Sequence, residues 1–437
     1  MWSAVGVVAV IAGATLAITR PWESGATGLT PEQAGFTHYA NAVDFPSSDV
    51  KWIPQGQGLQ RLVPDGSCAL AVGGFEGGAG NTAAYWAPTA DCHRLSLGVR
   101  TDDQSPDGPP YGSHGGGPAL RAAVLAKDGT LYAVGDNQVD NDYFASSGFV
   151  DRRSPDDQVT AMATVDPPEN ANTDWQDEKG FVAFDAVAMV GDRLLIGGAQ
   201  SEPKTDGRPK LWQSTDGGKT LTEVPLPTMS ATEGDIEQIG VHGDTVLAIG
   251  SGGPDGSRSA QLLSWLSGDA GKTWSRVLAA PPGQNFLLSG LAYGNGQWFA
   301  SGEVQGADRP RPVVLSSQDA RHWDPTWLPD QGGGGQATGV AVDSTGTPIV
   351  VGYTGVPRPT VTGDESDESE ADKEKAAKLA DISCGAIWVV SPPATWEDLS
   401  TGCTGAPPAA VTTLADGRVL VAGNSDLWIR GSVGDRG

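Results

Sequence analysis

Apolar residues in this chain come in short runs that end on glycine, and each run follows a turn signal. The runs ALAVG, LYAVG, LLIG, VLAIG, WFASG, IVVG and VLVAG end on Gly73, Gly135, Gly197, Gly250, Gly302, Gly352 and Gly423. Ahead of them stand Asp65-Gly66, Asp128-Gly129, Gly191-Asp192, Gly243-Asp244, Asn295-Gly296, Thr345-Gly346 and Asp416-Gly417. Such dipeptides supply the backbone conformations of tight hairpin turns. A second apolar segment precedes each turn, at 59–63, 120–124, 184–189, 236–241, 288–293, 338–342 and 411–414. Each turn therefore joins a strand a to a strand b. Successive glycines lie 62, 62, 53, 52, 50 and 71 residues apart, a period that signals an array of similar sheets.

After a variable loop comes a strand c, seen as AAYW, KLWQS, QLLSWLS, VVLSS, AIWVV and DLWI. A turn then leads to a strand d, as in LTEVPLP, TWSRVLAAP and HWDPTWLP. Four-stranded antiparallel units at this spacing are propeller blades. The last copy runs out at Trp428 to Arg430, one strand short, while residues 48–54 read as a strand d with nothing before it. The predicted fold is all-β, a seven-bladed β-propeller over residues 48–430 closed by this N-terminal strand. Closure removes edges that would otherwise template aggregation. The a–b and c–d turns then share one face, and the b–c and d–a loops share the other.

Composition narrows the function. The 437 residues carry a formal charge of −25, which argues against binding a phosphate backbone. Residues 2–18 are apolar and uncharged, close to the minimum for a membrane span. They lack the basic start and small-residue cleavage site of a removed signal. We read residues 1–20 as a signal anchor, 21–47 as a linker and 431–437 as a tail, with the propeller held outside the cytoplasm; the alternative is secretion. Four cysteines behind such a segment suggest disulfides, and three pairings exist. The face assignment puts Cys68 with Cys92 in blade 1 and Cys384 with Cys403 in blade 6. Residues 363–381 are charged or small throughout and read as an acidic disordered insertion in a b–c loop.

The c–d turns hold the most specific motif. Ser214-Thr-Asp216-Gly-Gly218-Lys-Thr and Ser267-Gly-Asp269-Ala-Gly271-Lys-Thr-Trp274 share one pattern. Ser317-Gln-Asp319-Ala-Arg-His-Trp323 is a shorter version, and Thr89-Ala-Asp91 is a remnant. Ser and Asp side chains accept hydrogen bonds from turn amides, and the tryptophans bury a large ring at the start of strand d. These turns resemble the Asp-box (BNR) repeat of sialidase-like and related β-propellers. The resemblance implies a structural turn at the blade periphery, away from the active-site face. It also implies a fold that hosts glycosidases alongside pure binding proteins.

Sialidase chemistry itself is not matched. The family's R-I-P motif is absent, and the nearest string, 308–312, falls in a predicted b–c loop. Polar residues near the channel mouth are Arg61, Arg121, Asp185 and Glu237; Asp185 with Glu237 is the pair to test for hydrolysis, which needs two carboxylates across a sugar. The strings Gly218-Lys-Thr and Gly271-Lys-Thr lack the first glycine of a phosphate loop, having Gln213 and Leu266 there. His114-Gly-Gly-Gly has no accompanying nucleophile elbow. The five histidines show no zinc spacing, and the acidic stretch 136–142 reads as solvated loop rather than a Ca²⁺ site. The expectation is a monomeric, non-catalytic binding or scaffold module for a protein or glycan on the b–c and d–a face, without metal or cofactor. The alternative is a glycoside hydrolase of exo-sialidase-like or xyloglucanase-like type.

Overall fold

The computed structural model describes residues 30–45, 58–77, 80–99, 118–138, 146–167, 180–202, 207–227, 232–254, 261–278, 285–305, 309–330, 333–355, 383–391, 395–402 and 407–431. They form seven antiparallel sheets, six of which run in chain order from an inner strand a to an outer strand d. The inner strands are Gly58–Asp65, Pro118–Leu125, Val182–Val190, Gln238–His242, Phe286–Gly294, Gly335–Val342 and Pro408–Thr413. All seven line one central channel. The fold is a seven-bladed β-propeller with four-stranded antiparallel blades, blade 4 carrying an extra short strand, Thr232–Gly234.

The core is divided by blade junction. Strand b of blade 1 shows why: Ala69 and Ala71 face blade 7, while Leu70 and Val72 face blade 2. Period-two alternation thus buries both faces of one strand, each against a different neighbour. Seven such apolar layers follow among the described residues, one at each junction. Tryptophans of strand c reinforce them by a polar tether. The indole N–H of Trp86, Trp265 and Trp388 donates to the carbonyls of Asp44, Pro227 and Pro329 at 2.7, 3.1 and 2.8 Å.

The glycine that ends each strand b has a steric cause. Strand a carries one extra residue, a β-bulge, opposite or beside that glycine in six blades. The bulge drives a carbonyl of strand a into the space a side chain would need. A Cβ on Gly135 would lie 1.8 Å from the Ala119 oxygen, and one on Gly73 would lie 2.0 Å from that of Gly58. Gly198, Gly250, Gly302 and Gly352 meet the same obstacle at 1.9–2.1 Å. In blade 3 the glycine facing this carbonyl is therefore Gly198, one residue beyond the Gly197 that ends the apolar run.

Ring closure departs from expectation in its location. The fourth strand of blade 7 is Phe36–Tyr39, antiparallel to Leu427–Arg430; residues 48–54 lie outside the described residues. Only Phe36 of the four is buried, and it fills the layer between blades 6 and 7 beside Ile349, Val351 and Trp428. His38 stacks on Trp428 and contacts Asp426 Oδ2 at 2.9 Å. The chain then crosses to blade 1, where Val43 pairs with Leu95 and the Asp44 amide donates to the Leu95 carbonyl at 2.9 Å. A segment of ten residues thus bridges first and last blades. Its short strand holds two polar residues, so no apolar alternation announced it.

The c–d turns are built by their Ser and Asp side chains. Ser214 Oγ accepts from the Gly218 amide at 2.8 Å, and Asp216 Oδ1 accepts from the Thr220 amide at 3.0 Å. Ser267 and Asp269 repeat this with Gly271 and Thr273 at 2.8 Å each. Hydrogen bonds from the Thr220 amide and hydroxyl hold the Asp216 carboxyl down to about 2. Asp319 accepts from the Arg321 and His322 amides, and Trp323 is buried. Blade 2 holds a fifth turn of this kind, where Ser154 pairs with Asp156 and accepts from the Gln158 amide. Pro155, Asp157 and the missing glycine hid it in the sequence. The residue after the Asp takes positive φ in all five: Cys92, Asp157, Gly217, Ala270 and Ala320.

Cys68 and Cys92 form a disulfide, as their shared face requires. Cys384 is disulfide-bonded too; Cys403 lies outside the described residues, as do residues 2–18 and 363–381. Among the described residues no helix is long and apolar enough to cross a membrane. Residues 310–312 of the string expected in a loop instead open strand c of blade 5, Pro310–Ser317.

Candidate functional site

The bulges decide what the channel displays. An extra residue in strand a escapes the alternation that points its neighbours into the blade layers, and a bulge re-aims its side chain. Aligned on the strand-b glycines, these residues are Gln60, Arg121, Asp185, Ser289, Thr338 and Ala409. In blade 4 strand a breaks between Gly234 and Gln238, and Glu237 takes the equivalent place. Three of the four sequence candidates, Arg121, Asp185 and Glu237, are thus ring-equivalent. Arg61 stands one position further along, on the cavity wall.

Charge gathers on blades 1 to 4. Arg121 Nε donates to Asp136 Oδ1 at 2.8 Å, so Asp136 belongs to this site and not to a solvated loop. Burial works against the Arg121 charge, and Asp136 together with Asp185 more than offsets it. Arg61 reaches across the ring, where Arg61 Nη1 and Gln238 Nε2 both donate to the Ser289 carbonyl, at 3.3 and 3.1 Å. Blades 1, 4 and 5 therefore meet at one oxygen. Burial lowers the Arg61 pKa, opposed by the charges of Glu237 and Asp185. Glu237 Oε1 accepts from the Ser251 amide at 2.9 Å, and Ser251 Oγ accepts from the Leu288 amide at 2.8 Å.

The carboxyl groups are pushed toward their neutral forms. Burial raises Asp185 to about 8, reinforced by Asp235 and Asp136 and opposed by Arg121 and Arg61. Burial drives the Asp235 and Glu237 carboxyls upward, and a hydrogen bond between the two couples them. Asp235 Oδ1 is buried without a partner. Sequence reading missed Asp136, Asp235, Gln238, Ser251 and Ser289. For Ser289 the usable signal was positional: in the apolar segments that start at Leu59, Leu120, Phe184 and Leu288 the second residue is the one at the bulge. No group of three or more His, Cys, Asp or Glu side chains among the described residues is placed to hold a metal ion.

These shifts make stability pH-dependent with a definite sign. Asp185 has a folded pKa above its unfolded value near 4, so its contribution is complete below about pH 4 and disappears as pH rises toward 8. Asp185→Asn should remove that slope. Thermal melts are expected to show the variant more stable than the parent at pH 8.5 and close to it at pH 5. Parallel pH profiles for the two proteins would contradict a buried, uphill Asp185.

Ring and mouth together define a seven-bladed β-propeller with a charged, half-ring channel mouth. No family model matches the chain, and no curated protein does. Among solved structures it is similar to a streptogramin B lyase, at a TM-score of 0.50 and 10% identity, over 91% of this chain and 97% of that one. A catalytically inactive virginiamycin B lyase from Staphylococcus aureus aligns at 0.49 and 8% identity over 90% and 98%. The soluble aldose sugar dehydrogenase from Escherichia coli aligns at 0.42 and 13% over 72% and 96%. At such identities the likeness shows the fold alone.

Proposed function

We propose that the protein is a non-catalytic binding module that engages a protein or glycan at the channel mouth, on the face of the b–c and d–a loops. The observation that carries this reading is the state of the carboxyl groups. Glycoside hydrolysis needs one carboxyl ionised and its partner protonated, in environments that drive their pKa values apart. Here burial drives Asp185 and Glu237 the same way, and Glu237 is already engaged by the Ser251 amide and by Asp235. The mouth therefore offers hydrogen bonds and charge on a rigid ring, which suits recognition. The c–d turns, read as Asp boxes, serve the blades at the opposite face.

We further propose that the ring is exported and held at the membrane by residues 2–18. The Cys68–Cys92 disulfide supports an oxidising compartment. Two measurements test the reading. Affinity capture with the ring lacking its first 20 residues should retain a partner, and Glu237→Gln together with Arg121→Ala should abolish retention. Hydrolysis of a panel of aryl glycosides should stay at background; a rate that disappears in Glu237→Gln would overturn the binding role.

A further inference from the structure

Beyond the bulges the channel opens into a cavity of about 420 Å³ whose two ends differ in chemistry. Leu62, Ala122, Val187, Ile239 and Val411 make an apolar wall. At the bulge end stands Asp185, whose carboxyl accepts no hydrogen bond from any described residue although it lines the cavity. Beside it Asp235 Oδ1 is buried and unpartnered. Of the charged groups only Asp185 and Arg61 line the cavity, and Arg61 is already engaged by the Ser289 carbonyl. Asp185 is thus left as an open acceptor beside a wall that suits an alkyl chain.

We propose that this cavity binds an aliphatic organic cation, its ammonium or guanidinium head at Asp185 and its alkyl chain along the apolar wall. The proposal rests on the binding reading above and names the chemistry of what is bound. An anion would meet the Asp185 carboxyl and a guanidinium, Arg61, already committed to the Ser289 carbonyl. A neutral alcohol would leave acceptor sites unfilled, which is unfavourable in a buried setting. A cation also couples to protons. The groups that face Asp185 are Arg61, Arg121, Asp136, Asp235 and Glu237, and burial favours the neutral carboxyl forms. Binding a cation therefore expels protons, so affinity rises with pH.

The test is a ligand-observed NMR titration of the full chain with n-butylammonium, with 1-butanol and butyrate as neutral and anionic counterparts. Butylammonium should bind, about tenfold more tightly near pH 8.5 than near pH 6. Asp185→Asn should weaken it about tenfold or more, through loss of a charge-assisted contact. Asp324→Asn, on an exposed outer strand, should leave binding unchanged and so excludes general attraction to an acidic surface. Equal binding of butanol or butyrate to the unaltered protein, a flat pH profile, or equal losses in the two variants would each overturn the proposal. If partner capture needs Glu237 and Arg121 while butylammonium fails to bind, the cation inference falls and the binding role stands.

Discussion

Gly135→Ala is expected to cost more than about 3 kcal/mol, an outsized effect for one methyl group. The new Cβ would lie 1.8 Å from the Ala119 carbonyl oxygen and 2.8 Å from its carbon, both backbone atoms of the adjacent inner strand. Neither side can retreat cheaply. Strand b is sandwiched between two apolar layers, and strand a is held by its ladder and by the neighbouring blades. Relief would require undoing the bulge, which would shift Leu120 and Ala122 out of register with their layers. Gly268→Ala is the matched control, because a Cβ there meets nothing within 4 Å. Denaturant unfolding of both variants by circular dichroism decides the matter, and a Gly135→Ala loss as small as that of the control would mean the bulge is not rigid.

Removing residues 1–45 should be the second large loss, more than about 5 kcal/mol, because it strips blade 7 of its outer strand and two junction layers of their plugs. Phe36 leaves the layer between blades 6 and 7, while Ala42 and Val43 leave the layer between blades 7 and 1. The indole of Trp86 loses the Asp44 carbonyl, so a buried donor becomes unsatisfied. The His38 and Asn41 contacts to Asp426 disappear at 2.9 Å each. Unfolding of the shortened chain, followed by tryptophan fluorescence, is expected at much lower denaturant. Adding a peptide of residues 30–45 should restore part of the loss. An unchanged midpoint would show that closure does not depend on this segment.

Much of the architecture was legible because alternation in propeller strands is forced twice, once by each neighbouring blade. Runs such as VLAIG are buried on both faces, and their turns need Asp-Gly or Asn-Gly chemistry, so seven copies stood out. The closing strand was illegible for the same reason inverted. Thr37 and His38 pair by backbone and by aromatic stacking, which leaves no apolar rhythm to read. At the site, Arg121, Asp185 and Glu237 could be named because each interrupts an apolar segment. Asp136 and Ser251 could not, since each directly follows the glycine of its strand b and joins the site only through a partner on an inner strand. Arg61 was legible as a residue but not as a span from blade 1 to the Ser289 carbonyl in blade 5.

The bulges carry a consequence for how this molecule could change. A residue inserted into the innermost strand stands outside the apolar layers between blades, so changing it leaves those layers filled. Gln60, Arg121, Asp185, Glu237, Ser289, Thr338 and Ala409 form a circular alphabet of seven letters, written on a frame whose grammar is kept by glycine. Rewriting one letter alters what the opening recognises while the apolar layers between blades stay filled. The frame can therefore acquire a new specificity one substitution at a time, without passing through an unfolded ancestor.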